Sequence, residues 1–203
     1  MRIYRIPFST NVERVALALG HKGLEAEWVD VDPRDRSPVE EVSGQPLVPV
    51  LADDRGVRAD STAIIEYLEE RYPDRPLYPR EEPRRTEVRL FVDWFNRIWK
   101  RPPNDIEAEL GKPQPDEARI ADLRAGLAGS LDHFEALLTG RDYLYGDFSA
   151  ADCAAFPFLK YALLFDPDDD ELFHRILIEN LALDGSHPRI AGWIARVGAH
   201  PRG

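Results

Sequence analysis

The feature that most constrains this chain is a change of hydrophobic period near residue 80. Up to about residue 75, short strand-like runs alternate with helix-like ones. From Pro83 onward only helical spacing remains. Strands pack face to face with helices through a period of two, whereas helices pack on each other through a period near 3.6. The chain is therefore expected to form two domains, an α/β unit over 1–76 and an all-helical unit over 83–203. The proline-rich, charged stretch 71–83 reads as the linker between them.

In the first half, Arg2–Arg5 and residues 26–31 read as strands around a helix over 12–22 that Gly23 closes. Residues 48–52 and 57–59 flank Asp53-Asp54-Arg55-Gly56 and read as a hairpin. Ser61–Arg71 is an amphipathic helix stopped by Pro73. A short loop or helix joins the second strand to the hairpin. The second half is expected to hold helices over 86–100, 116–138, 149–164, 171–183 and 188–197, the third nearly apolar and so buried.

Composition narrows the function. With 26 basic against 37 acidic side chains the net charge is −11. Such a surface repels phosphate backbones and anionic lipid, so neither nucleic acid nor membrane is expected as a partner. No signal-like apolar core follows Met1, and no apolar run approaches the ~20 residues that span a bilayer. The expected location is cytoplasmic. The single cysteine, Cys153, excludes an internal disulfide and dithiol exchange, and the five scattered histidines give no metal-ligand spacing. The acidic run 166–170 reads as a solvated connection, and His187 before Pro188 as part of a helix start.

Four short motifs carry chemistry or folding information. Phe8-Ser9-Thr10-Asn11-Val12-Glu13-Arg14 follows the first strand. Ser9 there either presents its hydroxyl at a helix N-terminus, where negative charge is favoured, or belongs to a helix cap beside a Thr10–Glu13 capping box. Leu47-Val48-Pro49-Val50 places a proline in a strand, which calls for a ligand edge or an edge strand. Asp60-Ser61 opens the third helix, where a cap and a carboxylate-binding site look alike. Ser149-Ala150-Ala151-Asp152 is a capping box at the buried helix and is a folding signal.

In this order and spacing the motifs resemble the glutathione transferase superfamily, in its cytosolic form with a serine in the first-helix turn. The resemblance covers nearly the whole chain and is loose over 94–116. It implies a thioredoxin-like βαβαββα domain followed by an all-helical domain. It implies glutathione as co-substrate with no further cofactor, Ser9 on its thiol, Val48 beside a cis Pro49 on its cysteinyl part, and Asp60 and Ser61 on its γ-glutamyl end. The implied second-substrate pocket draws on Phe8, Trp94, Arg97 and Trp99, with Asn96 and Arg101 nearby. By spacing alone, Trp99 reads more readily as core, and Arg97 and Arg101 as solvated charges or partners for Glu107 or Glu109. The implied reaction is attack of the thiol on an electrophilic small molecule by a homodimer. Two departures stand out: Pro46 is an extra proline that displaces Gln45, and Asp60 is shorter than the commoner Glu or Gln. They leave room for another small thiol, or for a ligand- or partner-binding protein without catalysis.

Overall fold

The computed structural model describes all 203 residues. It divides into two compact units, Met1–Tyr78 with His200–Gly203, and Pro79–Ala199.

The first unit is a four-stranded mixed sheet with three helices. Its strands are β1 (Arg2–Arg5), β2 (Glu27–Asp30), β3 (Val50–Asp53) and β4 (Gly56–Ala59), in spatial order β2-β1-β3-β4. β1 runs parallel to β2 and antiparallel to β3, and β3–β4 is the expected hairpin. The helices are α1 (Thr10–Lys22), α2 (Ser37–Ser43) and α3 (Ser61–Arg71). Strand alternation sorts the core into two faces. Tyr4 and Val50 join Ile6, Val31 and Val39 in one cluster, which places α2 on that side. Ile3 and Leu51, both fully buried, point to the other side, where α3 packs with α1.

The stretch expected as linker is largely part of this unit. Lys22 of α1 donates to Glu69 of α3 at 2.7 Å and to the Tyr72 carbonyl at 2.8 Å. Glu69 in turn accepts the N–H groups of Leu77 and Tyr78. The unit boundary accordingly falls after Tyr78. The last four residues, expected with the helical domain, pack here instead. The Gly203 N–H donates to the Ala16 carbonyl, Trp28 donates its indole N–H to the Gly203 carbonyl, and Arg202 pairs with Glu13. Gly20 makes room for this tail, because a Cβ there would sit 2.0 Å from the Pro201 oxygen.

The second unit is built of helices: α4 (Arg84–Trp94), α5 (Arg101–Leu110), α6 (Glu117–Gly129), α7 (Leu131–Leu137), α8 (Ala150–Leu159), α9 (Leu172–Asn180) and α10 (Pro188–Gly198). A π turn, Phe95–Trp99, joins α4 to α5, and Pro102 and Pro103 begin α5 where missing N–H groups are tolerated. The expected helix over 116–138 is two helices. Ser130 separates them, bonding back to the Leu127 carbonyl at 2.6 Å while accepting the Trp99 indole N–H at 2.9 Å. α8 is buried along its whole length and ends at Leu159, earlier than expected, in a 3₁₀ turn. At its start the expected capping box is formed. Asp152, fully buried, also accepts the Leu144 N–H at 3.1 Å and the Trp193 indole N–H at 2.8 Å. The run 166–170 is not wholly solvated: Asp169 turns inward and ties Tyr161 to His174. His187 bonds Asp132 and Ser186 at the start of α10.

Candidate functional site

The strand register brings the three first-unit motifs together. Val50 lies opposite Tyr4 on one side and opposite Ala59 on the other. β1 leaves the sheet just past Tyr4 towards Ser9, β3 enters it just after Val48-Pro49, and β4 leaves it at Ala59 into Asp60-Ser61. All three segments therefore emerge at one end of the sheet.

Ser9 is the N-cap of α1. Its oxygen accepts the Val12 N–H at 3.4 Å, long for such a bond, and its O–H donates to no group of the chain. A hydroxyl has one proton and two lone pairs, so the two readings of Ser9 are compatible. The lone pair serves the helix, and the proton has no partner within the chain. The Thr10–Glu13 box is not formed: Thr10 is already helical, and Glu13 meets Arg202. Phe8, just before Ser9, has φ of 62° and is exposed. Nothing in the sequence signals that conformation, which favours Gly or Asn.

The Val48-Pro49 peptide bond is cis. Val48 stands ahead of the first ladder pair at Val50, so no strand partner faces its N–H and C=O. Gln45, just before the extra proline, is turned onto its own loop. The Gln45 amide donates to Ser43 and to the Leu47 carbonyl, both at 2.9 Å, and accepts the Leu47 N–H at 2.7 Å. Its side chain is occupied in holding its own loop, while Leu47 stands exposed.

Asp60 has φ of 76° and caps α3, accepting the N–H groups of Thr62 and Ala63 at 2.8 and 3.1 Å. Ser61 is 3% exposed, yet neither its N–H nor its hydroxyl is bonded within the chain. A helix N-terminus with an uncommitted amide and hydroxyl is able to receive a carboxylate. Phe8 and Asp60 are two of the three non-glycine residues with positive φ, and each directly precedes one of the serines. Such conformations cost about 1–3 kcal/mol and cluster at ligand sites.

The residues expected to line a second-substrate pocket fall differently. Trp99 is core: it is buried, stacks on Phe95 at 4.5 Å, and spends its N–H on Ser130. Arg97, in the π turn, is exposed and paired with Asp93 of α4 at 2.5 Å. Its neighbour Asn96 lies in the π turn, and Arg101, exposed, sits 3.9 Å from Asp105. Trp94 is half-buried and lines an open groove on the helical unit.

Residues 3–76 match the family model for the glutathione S-transferase N-terminal domain, and residues 117–196 that for its C-terminal domain. The chain belongs to the glutathione S-transferase family. Against a glutathione S-transferase of Triticum aestivum it is 37% identical over 79 residues, 39% of this chain and 37% of that protein, so the match spans well under half of that relative. It is 31% identical to FtsZ-localized protein A of Caulobacter vibrioides over 168 residues, 75% of this chain and 73% of that one. A glutathione S-transferase structure from Rhodospirillum rubrum F11 superposes with a TM-score of 0.73 at 29% identity, covering 98% of this chain and 88% of its own. Glutathione S-transferase membership accounts for the mixed sheet with its helices and for the helical second unit. No helix is long and apolar enough to cross a membrane, and no group of His, Cys, Asp or Glu is arranged to hold a metal.

Proposed function

We propose that this glutathione S-transferase family member binds glutathione, or a closely similar thiol, at the sheet end built by Ser9, Val48-Pro49 and Asp60-Ser61. The observation that carries the reading is the register at Val50, which gathers those segments. The Ser61 amide and hydroxyl receive the γ-glutamyl carboxylate, and Asp60 faces its ammonium group. The Val48 backbone pairs with the cysteinyl part. The Ser9 O–H donates to the sulfur, and the positive end of α1 favours the same charge. The thiol proton passes to solvent. The thiolate then attacks an electrophilic carbon, forming a C–S bond as the leaving group departs with its electron pair. Action as a homodimer in the cytoplasm, in detoxification, belongs to the same reading.

A thermal-shift screen over several low-molecular-weight thiols, followed by conjugation to 1-chloro-2,4-dinitrobenzene, tests it. Glutathione at millimolar concentration should raise the melting temperature, and Ser9→Ala should slow conjugation. Unchanged turnover in the variant removes Ser9 from the mechanism. A second reading keeps the fold and drops the chemistry, making the protein a partner-binding module. It is favoured by the similarity to FtsZ-localized protein A and by the loss of Gln45 to its own loop. Absence of any thiol-induced shift would select it.

A further inference from the structure

An open cleft of about 390 Å³ lies between α10 and the chain that follows α7. Three of the side chains that line it are arginines: Arg141 from the loop, and Arg189 and Arg196 from α10. Arg189, Gly192 and Arg196 are spaced by three and four, so they share one face of that helix. The chain carries 37 acidic side chains and a net charge of −11, yet Asp142 is the only carboxylate in this lining.

What holds each guanidinium decides how much of its charge is left. Arg196 donates through Nε and Nη2 to the Asp142 carbonyl, at 3.0 and 2.8 Å. Arg141 donates through Nη1 to the Leu144 carbonyl at 3.2 Å. A carbonyl fixes a guanidinium without cancelling its charge. The Asp142 carboxylate is 80% exposed and 3.9 Å from Arg196 Nε, a distance and setting that neutralise little. Arg189 shares Glu135 with two backbone N–H groups at the start of α10, its own and that of Ile190. Arg196 Nη1 is bonded to nothing in the chain and lies beside Gly192, where a Cβ would stand 3.3 Å from it.

We infer that this cleft binds a phosphate dianion, as the free ion or as a small phosphomonoester, on Arg141, Arg189 and Arg196. Planar guanidinium forks already fixed in place match phosphate oxygens, and a doubly charged group uses the charge that the carbonyls leave. The site lies wholly within the helical unit and uses none of the residues assigned to the thiol.

Calorimetric titration of the full chain at constant ionic strength tests the inference, at about pH 8, where a phosphomonoester is dianionic. Inorganic phosphate and glycerol 2-phosphate should bind one to one, and the monoanion methanesulfonate roughly tenfold more weakly. Tighter binding of the ester assigns the cleft to phosphomonoesters; equal or tighter binding of the free ion assigns it to phosphate. Arg196→Gln should weaken phosphate binding roughly tenfold. Gly192→Ala keeps the net charge and favours the helix, yet it crowds Arg196 Nη1 and should weaken binding as well. Arg84→Gln, at an exposed position at the start of α4, should leave binding unchanged. No phosphate binding at millimolar concentration, equal binding of methanesulfonate, full binding by Gly192→Ala, or an equal loss in Arg84→Gln and Arg196→Gln would each overturn it.

Discussion

The Ser9 oxygen sits 3.4 Å from the Val12 N–H. That distance lies beyond the usual 2.7–3.2 Å for an N–H···O bond, so the cap it provides is weak. The serine is held in place by the helix start without being used up by it.

Loss of the Ser9 hydroxyl should therefore cost little stability. A well-made serine cap is worth roughly 1 kcal/mol, and Ser9→Ala is expected to lose about 0.5 kcal/mol in urea unfolding. A loss above about 2 kcal/mol would mean that the residue is chiefly structural.

Lys22 is the opposite case. Its side chain is 1% exposed and its partner Glu69 12%, and the pair ties α1 and α3 to the segment 72–78. Lys22→Met leaves the Glu69 carboxylate buried without its cation. Such a break should cost about 3 kcal/mol or more. Limited proteolysis should then cut within 72–78. Unchanged stability and cleavage would show that the apolar packing alone holds that segment.

Asp152 makes folding depend on pH. Burial pushes its carboxyl up from 3.8 to about 6, against the opposing pull of the Leu144, Trp193 and Ser149 donors. A raised carboxyl pKa adds stability that is full below 3.8 and is lost as pH rises through about 6. At about 1.4 kcal/mol per pH unit, this group alone should cost about 2 kcal/mol between pH 4 and pH 7. The difference between wild type and Asp152→Asn isolates it. The variant loses an acceptor for those donors and should be less stable overall, with a flatter profile from pH 5 to 7. Parallel profiles would contradict the assignment.

Much of this arrangement was legible in the sequence, and the misses have specific causes. Ser61–Arg71, the hairpin and the Ser149–Asp152 box follow from local patterns that tertiary packing did not override. The split at Ser130 was not legible, because it depends on the Trp99 indole arriving from 31 residues away. Nor was the fate of the C-terminal tail, which rests on a bond from Gly203 to Ala16. Charge and aromatic spacing could not tell Trp94, which lines an open groove, from Trp99, which spends its N–H in the core. At the candidate site, three motifs were visible singly. Only the register at Val50 shows that they share one end of the sheet.

If Ser61 receives a carboxylate, Ser61→Ala should weaken glutathione binding roughly tenfold while the Asp60 cap keeps α3 intact. Calorimetry reads the first and the melting temperature the second. Unaltered affinity would remove Ser61 from the site.

The central claim is that the Ser9 O–H stabilises a bound thiolate, and ultraviolet titration of the protein–glutathione complex tests it most directly. The thiolate absorbance of bound glutathione should rise with a midpoint at least about one pH unit below that of free glutathione. In Ser9→Ala that midpoint should move back towards the free value. A midpoint equal to that of free glutathione, or one that Ser9→Ala leaves in place, would contradict the account.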